Sequence, residues 1–356
     1  MSGDLYPKFK AVAVQASSVF LDRDATIEKM EGLVQEAVKK GADLVVFSES
    51  FIPAFPIWNI VYAPIDQHKF YRRLFENAIS LTSESFKKIA QIAKDNKVYL
   101  SVGITEKNDV SMGAMWNTQL LFDRNGKLLN RHRKLVPTWA EKLTWACGDA
   151  SQLTPVDTEI GRIGTLICGE NTNTLARFAL LAQGEQVHIS TYPPIWPFQR
   201  PEKGKSYNLT NAITLRAAAH AFEGKVFNIV SSGVLDEDAI EQLAQGDETI
   251  EATLRNAPEP VSLIVGPTGE VISDTLVGME GMVEADIDIS ESIILKQTHD
   301  IIGYYNRFDI FKLHVNKKSQ VPLHIEEDDV TKNLIKEVNV EVESAVNVNE
   351  LEPQKS

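Results

Sequence analysis

Short apolar runs rich in β-branched residues alternate with amphipathic segments along most of the chain, and this alternation restricts the fold more than any other feature. Ala11–Gln15 (AVAVQ) reads as a buried strand. Between Asp24 and Lys39, apolar Ile27, Met30, Leu33, Val34 and Ala37 recur at helical spacing, and Gly41 supplies a stop. Leu44–Phe47 reads as the next strand. A helix follows from Ser83, a possible N-cap, to Lys94, and then a strand over Val98–Ile104. Gln119–Phe122 and Leu128–Leu129 flank Asn125-Gly126, a hairpin signal. Ile163–Ile167, Val187–Ser190, Val226–Val230 and Ser262–Val265 continue the strand series, with a second hairpin at Pro267-Thr268-Gly269. Strands and helices in regular alternation, mixed with hairpins, indicate a layered α/β fold with a mixed sheet. There is no internal repeat and no Pro/Gly-rich linker, so one domain over residues 5–320 is expected.

Composition removes several function classes. The net charge of −13 argues against nucleic acid and anionic membrane surfaces, because both need a basic face. An acidic substrate would also be repelled unless the pocket holds its own cation. The two cysteines, Cys147 and Cys168, are too few for a disulfide framework and point to a reducing, cytoplasmic setting. No signal peptide is recognisable in MSGDLYPKFKAVAVQ, and no apolar run reaches the eighteen or so residues of a membrane helix. The segment from residue 321 to 356 differs from the body. From Ile325 onward, nine acids stand against three lysines, a net −6. It reads as a solvated, disordered appendage. The alternating Val338, Val340 and Val342 leave open an arm that packs on a neighbouring subunit.

Three residues carry the chemistry. Cys168 ends the run Gly161–Ile167 and precedes Gly169-Glu170-Asn171. A strand therefore delivers a thiol to a turn, with a helix expected from about Thr172. Such a corner exposes the side chain and points backbone N–H groups at it, and a helix N-terminus would favour the thiolate. A lone cysteine in an apolar run is nonetheless more often a small core residue. Glu49 ends the strand-like run Val45-Val46-Phe47-Ser48. Apolar surroundings would raise its pKa towards that of a general base, whereas taken alone it also fits a solvated strand end. Lys134 closes Arg131-His132-Arg133-Lys134, which reads either as a solvated basic face or as a run with one cation turned inward. Trp139, Glu141 and Trp145 lie in the following loop, and two tryptophans so close together suggest that it packs down over something. A thiol, a carboxylate base and an ammonium are what acyl transfer from nitrogen needs.

At these residues the sequence resembles the nitrilase superfamily, specifically its true nitrilase branch. The segments that carry the likeness are FKAVAVQA, VVFSESFIPAFP, HRKLVPTWAEKLTW, ICGENTN, GEQVHISTYPP and DIIGYYNRFDIFKL, in the family's order over roughly residues 8–315. The resemblance implies an α-β-β-α sandwich and a Glu-Lys-Cys triad of Glu49 (general base), Lys134 (oxyanion stabilisation) and Cys168 (nucleophile). Glu141 is the second pocket glutamate, and Gly169, Trp139 and Tyr192 are the expected substrate-binding residues. It implies a nitrilase acting on a small nitrile through a thioimidate and a thioester. It also implies a homodimer that assembles into larger oligomers or spirals. An amidase or carbamoylase, a cyanide-degrading enzyme and a filament-forming scaffold are the alternatives. Three positions depart from the family pattern: Ser48 stands where a proline is common, Gly169 where a tryptophan is usual, and Trp145–Ala150 alters a glycine-rich stretch. Cys147 lacks a strand behind it and an evident base. The seven histidines show no i, i+4 pairing or clustered carboxylates, and no nucleotide-binding glycine motif occurs, so neither metal nor cofactor is expected.

Overall fold

In the computed structural model, residues 6–204 and 208–320 are described. In chain order the elements are β1 (Lys8–Gln15), α1 (Arg23–Lys39), β2 (Leu44–Val46), α2 (Trp58–Val61), α3 (His68–Asn77), α4 (Glu84–Asp95), β3 (Tyr99–Lys107), β4 (Met115–Phe122) and β5 (Leu128–Arg133). There follow β6 (Val156–Thr158), β7 (Gly161–Ile167), α5 (Thr174–Leu181), β8 (Val187–Tyr192), α6 (Leu209–Gly224) and β9 (Phe227–Ser232). The last are α7 (Glu237–Ala244), α8 (Glu248–Arg255), β10 (Val261–Val265), β11 (Leu276–Val277), β12 (Gly281–Asp288) and α9 (Ser292–Thr298).

The strands form two six-stranded mixed sheets, ordered β12-β1-β2-β3-β4-β5 and β11-β10-β9-β8-β7-β6. Alternation along each strand explains why they stack. In β1 the small Ala11 and Ala13 join Leu44, Val46, Ile163, Val187, Ile189, Phe227 and Ile229 in the layer between the sheets. Val12 and Val14 turn the other way, onto Ile27, Met30 and Val34 of α1 and Ile89 and Ile92 of α4. The second sheet repeats this arrangement, with Val230, Leu263 and Val265 packed against Leu209, Ile213 and Ala217 of α6. The result is the expected α-β-β-α sandwich. Runs that looked continuously apolar are strands buried on both faces, as interior layers require.

Local signals place the ends. Asp22 caps α1 by accepting from the Ala25 N–H, and Gly41 leaves the helix at φ +88°. The β4–β5 hairpin turns at Asn125-Gly126, with Gly126 at φ +75°. The expected second hairpin is reduced to a Val265–Val271 bridge and the two-residue β11. β12 was missed by the sequence reading: its register against β1 is pinned from Lys8–Asp288 to Gln15–Gly281, an antiparallel edge formed by residues far apart in the chain. One compact unit ends at Lys318 and a second comprises Ser319–Ser356, of which everything beyond Gln320, including the expected acidic tail, lies outside the described residues. Among the described residues no helix is long and apolar enough to cross a membrane.

Candidate active site

The ends of β2, β5 and β7 bring the three expected residues together. Past β2 the chain turns through Ser48-Glu49-Ser50, with Ser50 at φ +47°. This turn lies directly on Gly103 of β3, where a Cβ would collide with the backbone of Ser48, Glu49 and Ser50. Glycine at 103 is therefore what lets the Glu49 carboxylate sit at this depth. The basic run resolves by strand alternation. Arg131 and Arg133 share one face and pair with Glu106, while His132 and Lys134 turn to the other face and are buried. Cys168 opens a 3₁₀ turn, Cys168–Thr172, at φ +52°. The turn expected at the end of this strand is present, with Cys168 in a left-handed conformation. The following α-helix starts at Thr174, capped by Asn173, rather than at Thr172.

Lys134 Nζ donates to Glu49 Oε1 at 2.7 Å and to Glu141 Oε2 at 2.6 Å, and all three groups are buried. Asn117 Nδ2 donates to the same Glu49 oxygen at 2.7 Å. Glu141 is fixed by the Thr138 N–H, which donates to it at 2.8 Å. A Cys168, a Glu49 and a Glu141 ligating atom lie within 4.8 Å of one another. Among the described residues Glu49 Oε2 and Glu141 Oε1 are buried without a hydrogen-bond partner.

The electrostatics follow from this burial. Burial lifts the Glu49 carboxyl to about 7, against the opposing pull of Lys134 and with help from Glu141. Burial works against the Lys134 ammonium, but Glu141 and Glu49 outweigh it and hold its pKa well above the usual lysine value. Burial, followed by the Glu49 charge, pushes the Cys168 thiol well up. This corrects the expectation that a helix N-terminus favours the thiolate. Burial first, and then the Glu49 and Glu141 charges beside it, hold the thiol in its protonated form, and only a short 3₁₀ turn lies behind it.

The corner itself is braced by polar groups that the sequence reading missed. Glu170 accepts from the Ile167 N–H at 2.8 Å and from the Leu135 N–H, and pairs with His132 at 2.9 Å, tying the Lys134 segment to the nucleophile turn. Asn171 Nδ2 donates to the carbonyls of Leu166 (3.2 Å) and Cys168 (3.1 Å). Its Oδ1 therefore faces Ser190 Oγ at 3.0 Å and His188 Nε2 at 2.9 Å. His188 Nδ1 meets Glu185 Oε1 at 2.7 Å, and His220 Nε2 meets Glu185 Oε2 at 2.8 Å. The sequence showed no clustering of histidines with carboxylates; the fold creates one, joining β8 to α6. The alternating pattern of Val187–Ser190 carries a faint signal of it, since His188 and Ser190 occupy the same face.

The remaining expected residues are placed differently. Gly169 lies beside the thiol, and a Cβ there would meet only Thr138 Oγ1, at 3.2 Å. Tyr192 is wholly buried in the apolar cluster against which Cys168 packs. Trp139, expected in a loop packed down over the site, is 62% exposed at φ +45° and lines a cleft of about 170 Å³ with Ile60, Val61 and Phe198. Its neighbour Trp145 is the buried one, set edge-on against Phe55. Cys147 is exposed. Arg216 of α6, not singled out in the sequence, is half-buried and donates to Thr172 at 2.8 Å.

Comparison with known proteins adds to this geometry. The family model described as carbon-nitrogen hydrolase matches residues 10–297. A nitrilase from Bacillus sp. (strain OxB-1) is 35% identical over 324 residues, 90% of this chain and 92% of the relative. An aliphatic nitrilase from Rhodococcus rhodochrous is 32% identical, covering 89% of this chain and 85% of the relative. Among solved structures, a carbon-nitrogen hydrolase from Helicobacter pylori G27 superposes with a TM-score of 0.67 at 20% identity, over 85% of this chain and 96% of that one.

Proposed function

The chain belongs to the carbon–nitrogen hydrolase family, and on that premise we infer that it is a nitrilase converting a small organic nitrile to the carboxylic acid and ammonia. The observation that carries the reading is the buried Lys134 ammonium bridging Glu49 and Glu141 beside the Cys168 thiol. Glu49 takes the thiol proton as sulfur attacks the nitrile carbon. Lys134, with the Gly169 N–H, stabilises the charge that develops on nitrogen, and that nitrogen gains the proton to complete a thioimidate. A water, deprotonated by Glu49, adds to the same carbon; the C–N bond breaks, and ammonia leaves with the returned proton. A second water adds to the resulting thioester, the C–S bond breaks, and the acid departs as Cys168 regains its proton. Each nitrile thus consumes two waters, and no redox partner is needed.

We take residues 5–320 as the catalytic domain, and the two unpaired cysteines fit a reducing, cytoplasmic setting. The segment around Tyr304–Val315 exposes Tyr304, Tyr305, Phe308, Ile310 and Phe311 along a groove of about 830 Å³ that also involves Leu175 and Phe178. Apolar surface of this extent supports association with a second copy. Phe311→Asp combined with Tyr304→Asp should move the protein to a smaller species by size-exclusion chromatography with light scattering; an unchanged mass would dismiss that interface. The activity is tested by ammonia release from a panel of nitriles and the matching amides, with Cys168→Ala as control. Ammonia from amides alone would sink the nitrilase reading.

A further inference from the structure

Among the described residues two buried carboxylate oxygens beside Cys168, Glu49 Oε2 and Glu141 Oε1, have no protein partner, and the buried Tyr192 hydroxyl has the Arg216 guanidinium as its polar neighbour. The hydrolytic steps use Glu49 directly and Glu141 through its bond to Lys134. They do not use Tyr192, which ends β8 and lies wholly buried in the cluster that Cys168 packs against. Arg216 stands next to that hydroxyl. Its Nε is held by Thr172 Oγ1 at 2.8 Å, and Thr172 closes the same 3₁₀ turn that Cys168 opens. Among the described residues no carboxylate forms an ion pair with Arg216. Burial pushes both the Cys168 thiol and the Tyr192 hydroxyl up, and the nearby Arg216 charge opposes this at each. Gly169 follows Cys168 directly, and a Cβ there would press on Thr138 Oγ1 at 3.2 Å.

We propose that Arg216 and Tyr192 form a subsite for a carboxylate on the substrate, so that the preferred nitriles are short cyano-carboxylates. The inference rests on the nitrilase reading and names its substrate class. Charge makes the subsite necessary for such a substrate. Glu49 and Glu141 set two carboxylates against the single Lys134 ammonium, within a chain of net charge −13. An anionic substrate would be repelled there without a further cation. The planar Arg216 fork offers two parallel donors to a carboxylate, and the Tyr192 hydroxyl a third.

The test compares ω-cyano carboxylates carrying one to four methylenes with the neutral nitriles in which an isopropyl group replaces the carboxylate. The wild-type enzyme should prefer the best acid over its neutral partner by at least about tenfold in kcat/KM. Arg216→Met should collapse that ratio, mainly through KM for the acid; Arg216→Lys should retain part of it, and Tyr192→Phe should lower it by a smaller factor. A wild-type ratio at or below one across the series, or a ratio unchanged in Arg216→Met, overturns the subsite. Should Arg216→Met fail to fold, the wild-type ratio and Tyr192→Phe decide. Hydrolysis of neutral nitriles without preference removes this inference and leaves the nitrilase reading standing. Ammonia from amides alone removes both.

Discussion

Glu49 is under opposing pressures that set its role. Burial raises its carboxyl to about 7, while Lys134 and Asn117 donate to the same oxygen and keep the ionised form within reach. A base must be deprotonated to accept the thiol proton, so kcat/KM should rise with pH through an apparent pKa near 7 and fall away on the acid side. Glu49→Gln should lower kcat by about 10²–10⁴ and erase that limb. A wild-type profile flat from pH 5.5 to 8 would remove Glu49 as the base. Lys134→Ala should cost about 10²–10³ in kcat. It should also lower stability by about 3–5 kcal/mol, because two buried carboxylates lose their shared cation. Thermal unfolding alongside the kinetics separates the two effects, and a variant with near-normal kcat would remove the oxyanion role.

At the scale of elements, the Cys168 turn is held by its neighbours rather than by its own helix. Asn171 reaches the carbonyls on both sides of the corner, and β8 and α6 hold Asn171 in turn through His188, Glu185 and His220. Truncation to Asn171→Ala should therefore lower kcat at least about tenfold while KM moves little, since the thiol's position and not the pocket is lost. Equal losses in KM would mean the bracing serves binding instead. Helix α1 depends on two simpler terms, the Asp22 cap and the apolar stripe Ile27, Met30, Val34 and Ala37. Met30→Ala should destabilise by about 2–5 kcal/mol and Asp22→Ala by about 1 kcal/mol, read from urea unfolding midpoints. Near-zero shifts for both would mean that α1 is not anchored as described.

For the whole molecule, two buried groups make stability respond to pH in opposite senses. The Glu49 pKa is raised from 4.5 to about 7, so its contribution is fully present below 4.5 and is lost as pH rises through 7. That of His220 is lowered by burial from 6.5 to about 4, so its contribution is present above 6.5 and is lost as pH falls through 4. Between 6.5 and 4.5 the two offset. Glu49→Gln removes one side of this balance, and the variant should lose stability relative to wild type across that window by up to about 1.4 kcal/mol per pH unit. Urea midpoints at pH 6.5 and 5.0 for both proteins test it; parallel shifts would count against the assignment.

A layered α/β fold was legible in the sequence because strand alternation and helical spacing are local: Val12 and Val14 must face away from Ala11 and Ala13 whatever else the chain does, whereas the α-β-β-α sandwich was what the family resemblance implied. Cys168, Glu49 and Lys134 were legible because each stands at a recognisable motif position at the end of a strand. Three things were decided only in three dimensions. These are which of Arg131–Lys134 is buried, that burial pushes the Cys168 thiol up, and that Glu185, His188 and His220 gather behind Asn171 while Arg216 reaches Thr172. The reason is physical. A side chain's face is set within its own strand, but its charge partners come from strands and helices brought alongside by the sheet order, and only those partners fix a buried group's protonation and its role.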